Sequence, residues 1–321
     1  MGKSESAMRR DNSAVAAAAP RRHLRALARE YYELTKPRVV SLIVFTAVVG
    51  MFLSAPSGLP LVPFLLGTLG IALASASAAA INQILDLRFD IGMIRTSRRP
   101  LPIGSVSTRA ALLFALIIGV ASMVILTLWV NTLTAVLTFI SLIGYSIIYT
   151  VFLKHATPQN IVIGGAAGAA PPVLGWTAIT GHVAPDALLL FLIIFLWTPP
   201  HFWALALYRE KEYAKVGIPM LPVTHGREFT QLQILLYAIL LVAVTIMPFA
   251  THMSGWLYLL GVVILDAGFL YYAVRLYRNY SDELARKTFR YSINYLAALF
   301  ALLLVDHYSL FIREALQSAL Y

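Results

Sequence analysis

Long apolar runs divide the chain, and short polar segments rich in arginine and lysine separate them. Each run has about 20 residues, the length at which a helix crosses a hydrocarbon core of ~30 Å. Nine runs are expected to be transmembrane helices, near residues 39–55, 60–82, 110–130, 133–153, 159–179, 186–206, 231–250, 255–274 and 291–312. The pattern predicts an all-α, polytopic integral membrane protein with nine transmembrane helices.

The composition supports lipid as a large part of the solvent. Hydrophobic residues make up 59% of the 321 positions and charged residues 12%, whereas soluble domains average about 45–50% and about 25%. The chain contains no cysteine, which excludes disulfides, thiolate metal sites, iron–sulfur clusters and a cysteine nucleophile. One membrane domain is therefore favoured over several soluble ones.

Lysine and arginine are divided unequally between the two faces that the nine spans define. Of the 25 such residues, only Arg313 falls on the outer face; the others lie in the N-terminal segment and in the loops after spans two, four, six and eight. Short cationic loops stay in the cytoplasm, so we expect a cytoplasmic N-terminus and an external C-terminus. This asymmetry explains the net charge of +10 without a nucleic-acid partner.

The first 34 residues are predicted to be a basic cytoplasmic arm, followed by a transmembrane domain over residues 35–321. The arm lacks the apolar core of a secretory signal, and we interpret it as a disordered segment that rests on anionic membrane lipid. It also matches a mitochondrial presequence only imperfectly, because it contains acidic residues. The predicted location is the bacterial inner membrane, with the mitochondrial inner membrane as the alternative.

Two carboxylates and a carboxamide follow one another at the cytoplasmic end of the second span. Asn82, Asp86 and Asp90 are spaced by four residues, so on a continuous helix they share one face, ~6 Å apart along the axis. Oxygen ligands of this kind suit Mg²⁺. Arg99 lies in the same loop and could pair with phosphate oxygens. The segment predicts a metal–diphosphate site, with a solvated helix end as the alternative.

The loop after the sixth span has a related character. Tyr208 and Glu212 repeat the spacing of Asp86 and Asp90, and cations accompany them again. This suggests a weak repeat, in which spans one to four and five to eight are related units. If the repeat is real, the two loops face each other and their carboxylates converge.

Two further features lie inside the predicted spans. The small residues from Gly164 to Gly168 favour close helix packing, and Pro171 and Pro172 should kink the fifth span. His201 lies within an apolar span, where ionisable groups are rare and often functional. It could contact a substrate or satisfy a neighbouring helix, and both interpretations stay open.

The run Asn-x₃-Asp-x₃-Asp resembles the first aspartate-rich motif of the UbiA superfamily of intramembrane prenyltransferases. Further blocks resemble the haem O synthase (protohaem IX farnesyltransferase) branch of this superfamily; they lie at residues 35–38, 98–104, 149–165, 168–176, 200–204 and 217–223. The blocks extend from about residue 35 to residue 226, and the nine-span layout extends the likeness to nearly the whole chain.

The resemblance implies a nine-helix bundle with a central cavity open to lipid, and two Mg²⁺ ions that bridge carboxylates and diphosphate. The implied metal ligands are Asn82, Asp86, Asp90 and Glu212, of which the three acids are also the implied catalytic residues. The implied substrate-binding residues are Asn82, Lys36, Arg99, Lys154, Arg209, Lys211, Tyr149 and His201. The superfamily usually has Asp-x₃-Asp in the second motif, so Tyr208 weakens the expectation of two carboxylates there.

The implied reaction transfers the farnesyl group of farnesyl diphosphate to a vinyl group of haem b, with addition of water, and gives haem O and diphosphate. The implied partners are farnesyl diphosphate, haem b and membrane lipid, with a transient handover to a haem A synthase or terminal oxidase. The alternatives are an aromatic or quinone-precursor acceptor, a non-catalytic haem carrier and a secondary transporter. A transporter would place charge at the bilayer midplane, whereas the acids here lie at one face.

Overall fold

A computed structural model gives the fold of residues 24–55 and 58–320, with side chains described as far as Ser309. Most of the predicted arm, residues 1–23, therefore lies outside the described residues. The described part of the chain contains helices and no strand, which confirms the all-α class. The division between arm and domain after residue 34 stays a prediction.

Fifteen helices and one π-helical segment account for the described fold. In chain order they are α1 (Leu24–Leu34), α2 (Pro37–Leu53), α3 (Leu61–Leu85), α4 (Leu87–Asp90), α5 (Thr108–Trp129), α6 (Thr132–Ile143), the π-helix (Gly144–Leu153), α7 (Lys154–Ala156), α8 (Asn160–Ala169), α9 (Pro171–Thr180), α10 (Pro185–Tyr208), α11 (Glu210–Lys215), α12 (Leu221–Thr245), α13 (Met247–Ala250), α14 (Trp256–Arg278) and α15 (Asp282–Leu320). Several of them join end to end into longer spans.

The spans agree with the nine-helix prediction. Within the described residues, eight helical spans are long and apolar enough to cross a membrane. A ninth is reached when α1 and α2 are taken together, although they are bent by 56° at the break between them. The described end of the predicted arm is thus a helix: Leu34 of α1 is fully buried, and its carbonyl accepts a 2.8 Å hydrogen bond from Gln83 of α3.

Lipid-facing surfaces are visible on the outer spans. On α5 the buried positions are Ala111, Ala115, Ser122 and Leu126, which form one stripe at helical spacing. Most of the other leucine, isoleucine and valine side chains of this helix are exposed. An exposed apolar area of this extent is expected where a helix faces hydrocarbon instead of water.

The fifth span is interrupted at the prolines that were expected to kink it. Helix α8 ends at Ala169 and α9 begins at Pro171, because a proline lacks the backbone donor and its ring collides with the preceding turn. In contrast, Pro199 and Pro200 lie inside α10, which continues past them.

Helices α2 and α9 cross so closely that their backbones are in contact. A Cβ atom added at Gly50 would overlap the carbonyl oxygen of Pro172, and one added at Gly175 would overlap that of Ala47. Small residues permit this approach, and van der Waals packing is a main source of helix association in lipid. The contact joins the first half of the chain to the second.

Helix pairing within the two halves is similar. Helix α3 packs on α5 in the first half, and α10 packs on α12 in the second. The two pairs occupy matching places in spans one to four and five to eight, and the repeat itself stays a prediction. Helix α15 packs against α2, α10 and α14 and thereby closes the bundle.

A buried acid links the later helices near the predicted outer face. Asp266 of α14 accepts hydrogen bonds from Thr245 of α12 at 2.9 Å and from Tyr295 of α15 at 2.6 Å. Buried polar groups of this kind must be hydrogen-bonded. Asp266 has a structural role in fastening these three helices together.

We expect Gly175→Ala to destabilise the fold by about 1–3 kcal/mol, because the new methyl group has no room against the α2 backbone. The matched control is Gly168→Ala, since a Cβ at Gly168 meets nothing within 4 Å. Unfolding midpoints in a denaturing-detergent titration would measure both. Equal midpoints for the two variants would contradict the backbone contact between α2 and α9.

Candidate active site

The first carboxylate segment lies where α3 ends and the short α4 follows. The backbone N–H of Asp86 donates to the Asn82 carbonyl at 2.9 Å, and that of Asp90 donates to the Asp86 carbonyl at 2.9 Å. Because the turns continue through the junction, the three side chains stay on one face, as their spacing predicts. Asn82, Asp86 and Asp90 are buried, with 3%, 5% and 5% exposure.

Each of these three side chains is paired with a cation from another part of the chain. Lys154 Nζ lies 2.7 Å from Asp86 Oδ2, and Arg99 Nη1 lies 2.7 Å from Asp90 Oδ2. Lys36 Nζ donates to Asn82 Oδ1. The structure therefore brings together six residues that were predicted to share a site. We call this group the carboxylate cluster: Lys36, Asn82, Asp86, Asp90, Arg99 and Lys154.

Lys36 occupies an unusual backbone position. It lies between α1 and α2 with φ 50° and ψ 60°, a left-handed conformation that is uncommon for a residue with a Cβ and is held only by its surroundings.

The π-helix supplies a partner for Asn82 that the sequence had not singled out. Asn82 Nδ2 donates to Thr150 Oγ1 at 2.9 Å, and Thr150 Oγ1 donates to the Tyr145 carbonyl at 2.8 Å. Tyr149 stacks on Tyr145 with ring centroids 5.6 Å apart and leans on Gly164, where a Cβ would collide with the ring. π-Helical turns are rare and frequently occur at functional sites. The only sequence signal for Thr150 was its place beside Tyr149 in a resembling block.

Two carboxylate oxygens in this region have no partner. Asp86 Oδ1 and Glu212 Oε2 are buried and have no hydrogen bond within the described residues. A buried, unpaired acceptor costs about 1–3 kcal/mol of stability. Contact with an additional cation would remove this cost at each of the two oxygens. The donor set of carboxylate and amide oxygens is the set that Mg²⁺ prefers.

Glu212 belongs to a second group of charges. Arg209 Nη1 lies 2.5 Å from Glu212 Oε1, and Arg227 Nε lies 2.5 Å from Glu210 Oε2. Among the described residues no three acids or histidines are close enough to hold one metal ion. Asp86, Asp90 and Glu212 therefore do not form a single three-carboxylate centre in this arrangement. Lys211 is exposed and pairs with no acid in the described part of the chain.

The two loops nevertheless meet, as the proposed repeat requires. A Cβ built at Gly92 would lie 2.8 Å from Val216 Cγ1, and Met93 shares a buried apolar cluster with Tyr213 and Ile218. Burial raises the pKa of Tyr213, while Arg95 and Arg209 lower it. The first loop and the second loop thus lie against each other on the basic side of the bundle.

His201 lies apart from the hydrogen bonds of the carboxylate cluster. Its ring is stacked between Trp197, with centroids 4.2 Å apart, and Phe289, with centroids 4.6 Å apart. Its Nδ1 is 2.7 Å from Ser292 Oγ of α15. The structure shows that a neighbouring helix satisfies one ring nitrogen, which leaves Nε2 for another partner.

The UbiA prenyltransferase family matches residues 43–304 of the chain. A "Protoheme IX farnesyltransferase" of Nitrosomonas eutropha is 62% identical over 282 residues, which cover 88% of this chain and 95% of the relative. One of the same name from Nitrosococcus oceani is 63% identical and covers 87% and 94%. The chain belongs to the UbiA prenyltransferase family and, within it, to the protoheme IX farnesyltransferases. It is a multi-pass membrane protein of that family.

Solved structures show the same fold at low sequence identity. A structure described under "biosynthesis of Digeranylgeranylglyceryl phosphate synthase in membranes" has a TM-score of 0.74 at 20% identity, covering 87% of this chain and 98% of that one. A UbiA homologue of Archaeoglobus fulgidus, bound to GPP and Mg²⁺, has a TM-score of 0.55 at 18% identity and covers 85% and 99%. These similarities confirm the UbiA-like bundle.

We expect Thr150→Val to lower the free energy of unfolding by about 1–3 kcal/mol, because it leaves the buried Asn82 amide without an acceptor. Thr138→Val is the matched control: Thr138 is equally buried, and its hydroxyl has no partner in the described part of the chain. Unfolding midpoints in detergent would compare the two variants. If Thr138→Val cost as much as Thr150→Val, the hydrogen bond to Asn82 would not be the cause.

Proposed function

We propose that this protein transfers the farnesyl group of farnesyl diphosphate to a vinyl group of haem b, and that the carboxylate cluster is the site where the diphosphate binds. The relatives that share about three fifths of its residues bear the name of this activity. The observation that supports the location is the group of buried acids, each matched by a cation, at the basic face of the bundle.

The acids and the cations of the carboxylate cluster would have different roles in diphosphate binding. Asn82, Asp86 and Asp90 would hold Mg²⁺, and the unpaired Asp86 Oδ1 is the strongest sign that a cation is accommodated there. Lys36, Arg99 and Lys154 would pair with phosphate oxygens through charge-assisted hydrogen bonds. Glu212, with Arg209 and Lys211 beside it, would contribute from the second loop.

The chemistry of the first step is ionisation of the C1–O bond of the allylic diphosphate. Negative charge develops on the leaving oxygen, and preorganised cations in a buried site stabilise it far more than water does. Bound Mg²⁺ supplies Lewis-acid stabilisation of the same charge. Lys36, Arg99 and Lys154 are already gathered at the site before the reaction, next to the residues that would hold the metal.

The second step joins the farnesyl group to the acceptor. The terminal carbon of the haem vinyl group bonds to C1 of the allylic cation, and positive charge moves to the vinyl carbon next to the porphyrin. Water adds there and loses a proton, which gives a hydroxyethylfarnesyl side chain and free diphosphate. Tyr149 and His201, both rigidly stacked, are proposed to help to line the substrate space.

The alternative functions make different demands on the cluster. A quinone-precursor enzyme would use the same diphosphate site with another acceptor. A haem carrier would need no paired acids and cations at the membrane face. After the reaction, the product would be handed over to a haem A synthase or a terminal oxidase.

We expect Asp86→Asn to lower the rate of haem farnesylation by about 10²–10³-fold, because the Mg²⁺ that would stabilise the leaving diphosphate loses a carboxylate ligand. Asp186→Asn is the control, since Asp186 lies in the first turn of α10, at the end of this helix opposite to Tyr208 and the second loop. Purified protein would receive haem b, farnesyl diphosphate and Mg²⁺, and mass spectrometry would detect haem that gained farnesyl plus water. EDTA should abolish the product.

If haem stayed unmodified although the protein was folded and bound it, haem b would be refuted as the acceptor. Quinone precursors would then be tested in its place. Full activity of Asp86→Asn would remove the carboxylate cluster from the mechanism.

The proposed orientation places the carboxylate cluster in the cytoplasm of a bacterial cell. The chain has no cysteine, so a single introduced cysteine reports topology without labelling of any native cysteine of this protein. We expect Ser105→Cys, in the basic loop after α4, to resist a membrane-impermeant maleimide in intact cells, and Thr251→Cys, after α13, to react. The opposite labelling pattern would show that the orientation is the reverse of the proposed one.

A further inference from the structure

A polar pocket opens on the basic side of the bundle, beside the second loop. It has a volume of about 440 Å³, and its lining consists of Tyr208, Arg209, Glu212, Arg286, Phe289 and Arg290. Three guanidinium groups face a single carboxylate there, so the lining carries an excess of positive charge. A pocket of this kind selects a ligand with more than one negative charge.

Two of these arginines have no acidic partner. Arg286 and Arg290 are one turn apart on α15, so their side chains share a face at a separation on the order of 6 Å. Neither forms an ion pair with a carboxylate among the described residues. The Arg286 guanidinium lies over the Tyr208 ring, 5.4 Å from its centroid. Both arginines are therefore available to an anion.

The wall of the pocket between these arginines is aromatic. Phe289 lines the pocket and stacks on His201, which in turn stacks on Trp197. Trp197 belongs to the main buried cluster of the bundle. A column of flat rings thus leads from the charged mouth into the apolar interior. This combination fits a flat, apolar ligand that carries carboxylates along one edge only.

We propose that Arg286 and Arg290 bind the two propionate carboxylates of the haem acceptor. This inference rests on the proposed function. Haem b carries its propionates on one side and its vinyl groups on the other, so anchoring the propionates at the mouth directs the vinyl side into the bundle. The diphosphate has its own cations in Lys36, Arg99 and Lys154, and Arg209 of this pocket is already paired with Glu212. The α15 arginines are therefore left for a different anion.

The test is haem binding without turnover. The full-length protein in detergent is titrated with haem b in the absence of farnesyl diphosphate, and the haem absorbance is followed. Arg286→Gln and Arg290→Gln should each raise the Kd at least roughly tenfold, since a charge-assisted hydrogen bond is lost. Lys287→Gln is the control: Lys287 lies beside Arg286 but does not line the pocket, and it pairs with Glu283 at 2.7 Å, so the Kd of this variant should stay within about twofold of the wild-type value.

A second measurement needs no substitution. Haem b dimethyl ester, which lacks the propionate charges, should bind the unaltered protein roughly tenfold or more weakly than haem b. Because the protein is the same in both titrations, a folding defect cannot produce this difference. The KM for farnesyl diphosphate should be unchanged in both arginine variants.

The outcomes separate this inference from the proposed function. If the unaltered protein bound no haem b, the haem acceptor itself would be wrong and both proposals would fall. If haem b bound, and the ester and both variants bound as tightly, the propionate assignment alone would fall. A raised KM for farnesyl diphosphate with an unchanged haem Kd would assign the pocket to the diphosphate instead.

Discussion

The ion pairs of Asp86 and Asp90 are the constraint around which the basic side of the protein is arranged. A buried carboxylate is costly unless a cation or donors compensate it. Lys154 and Arg99 provide that compensation, and Lys36 does the same for the Asn82 carbonyl. These cations come from the start of α7, from the loop after α4 and from the break before α2. Three separate segments must therefore converge on the end of α3.

The helix bundle makes this convergence possible by keeping irregular backbone away from lipid. In a membrane every backbone polar group must be satisfied within the protein. The breaks between α1 and α2 and between α3 and α4 lie at the carboxylate cluster, where hydrogen bonds within the protein continue across them. The close crossing of α2 and α9, which Gly50 and Gly175 permit, ties the cluster to the second half of the chain.

The basic face then divides into two differently built regions. In the carboxylate cluster, acids and cations are buried and balance one another. In the pocket beside α15, the arginines outnumber the acid and an aromatic wall leads inward. A reaction between a diphosphate and a large flat acceptor needs two such regions, because the leaving group requires charge compensation at the site of ionisation and the acceptor requires an apolar surface.

The sequence by itself determined the membrane class, the nine spans, the break at Pro171 and the shared face of Asn82, Asp86 and Asp90. These follow from local hydrophobicity, local spacing and backbone chemistry, and the resembling blocks pointed to the family. Only the tertiary structure decided which cation meets which acid, that Thr150 holds Asn82, that Glu212 stays outside the first cluster, and that Arg286 and Arg290 line a pocket. Such pairings join residues far apart in the chain. They depend on how the helices cross and on the direction in which the π-helix orients its side chains, and the periodicity of the sequence encodes neither.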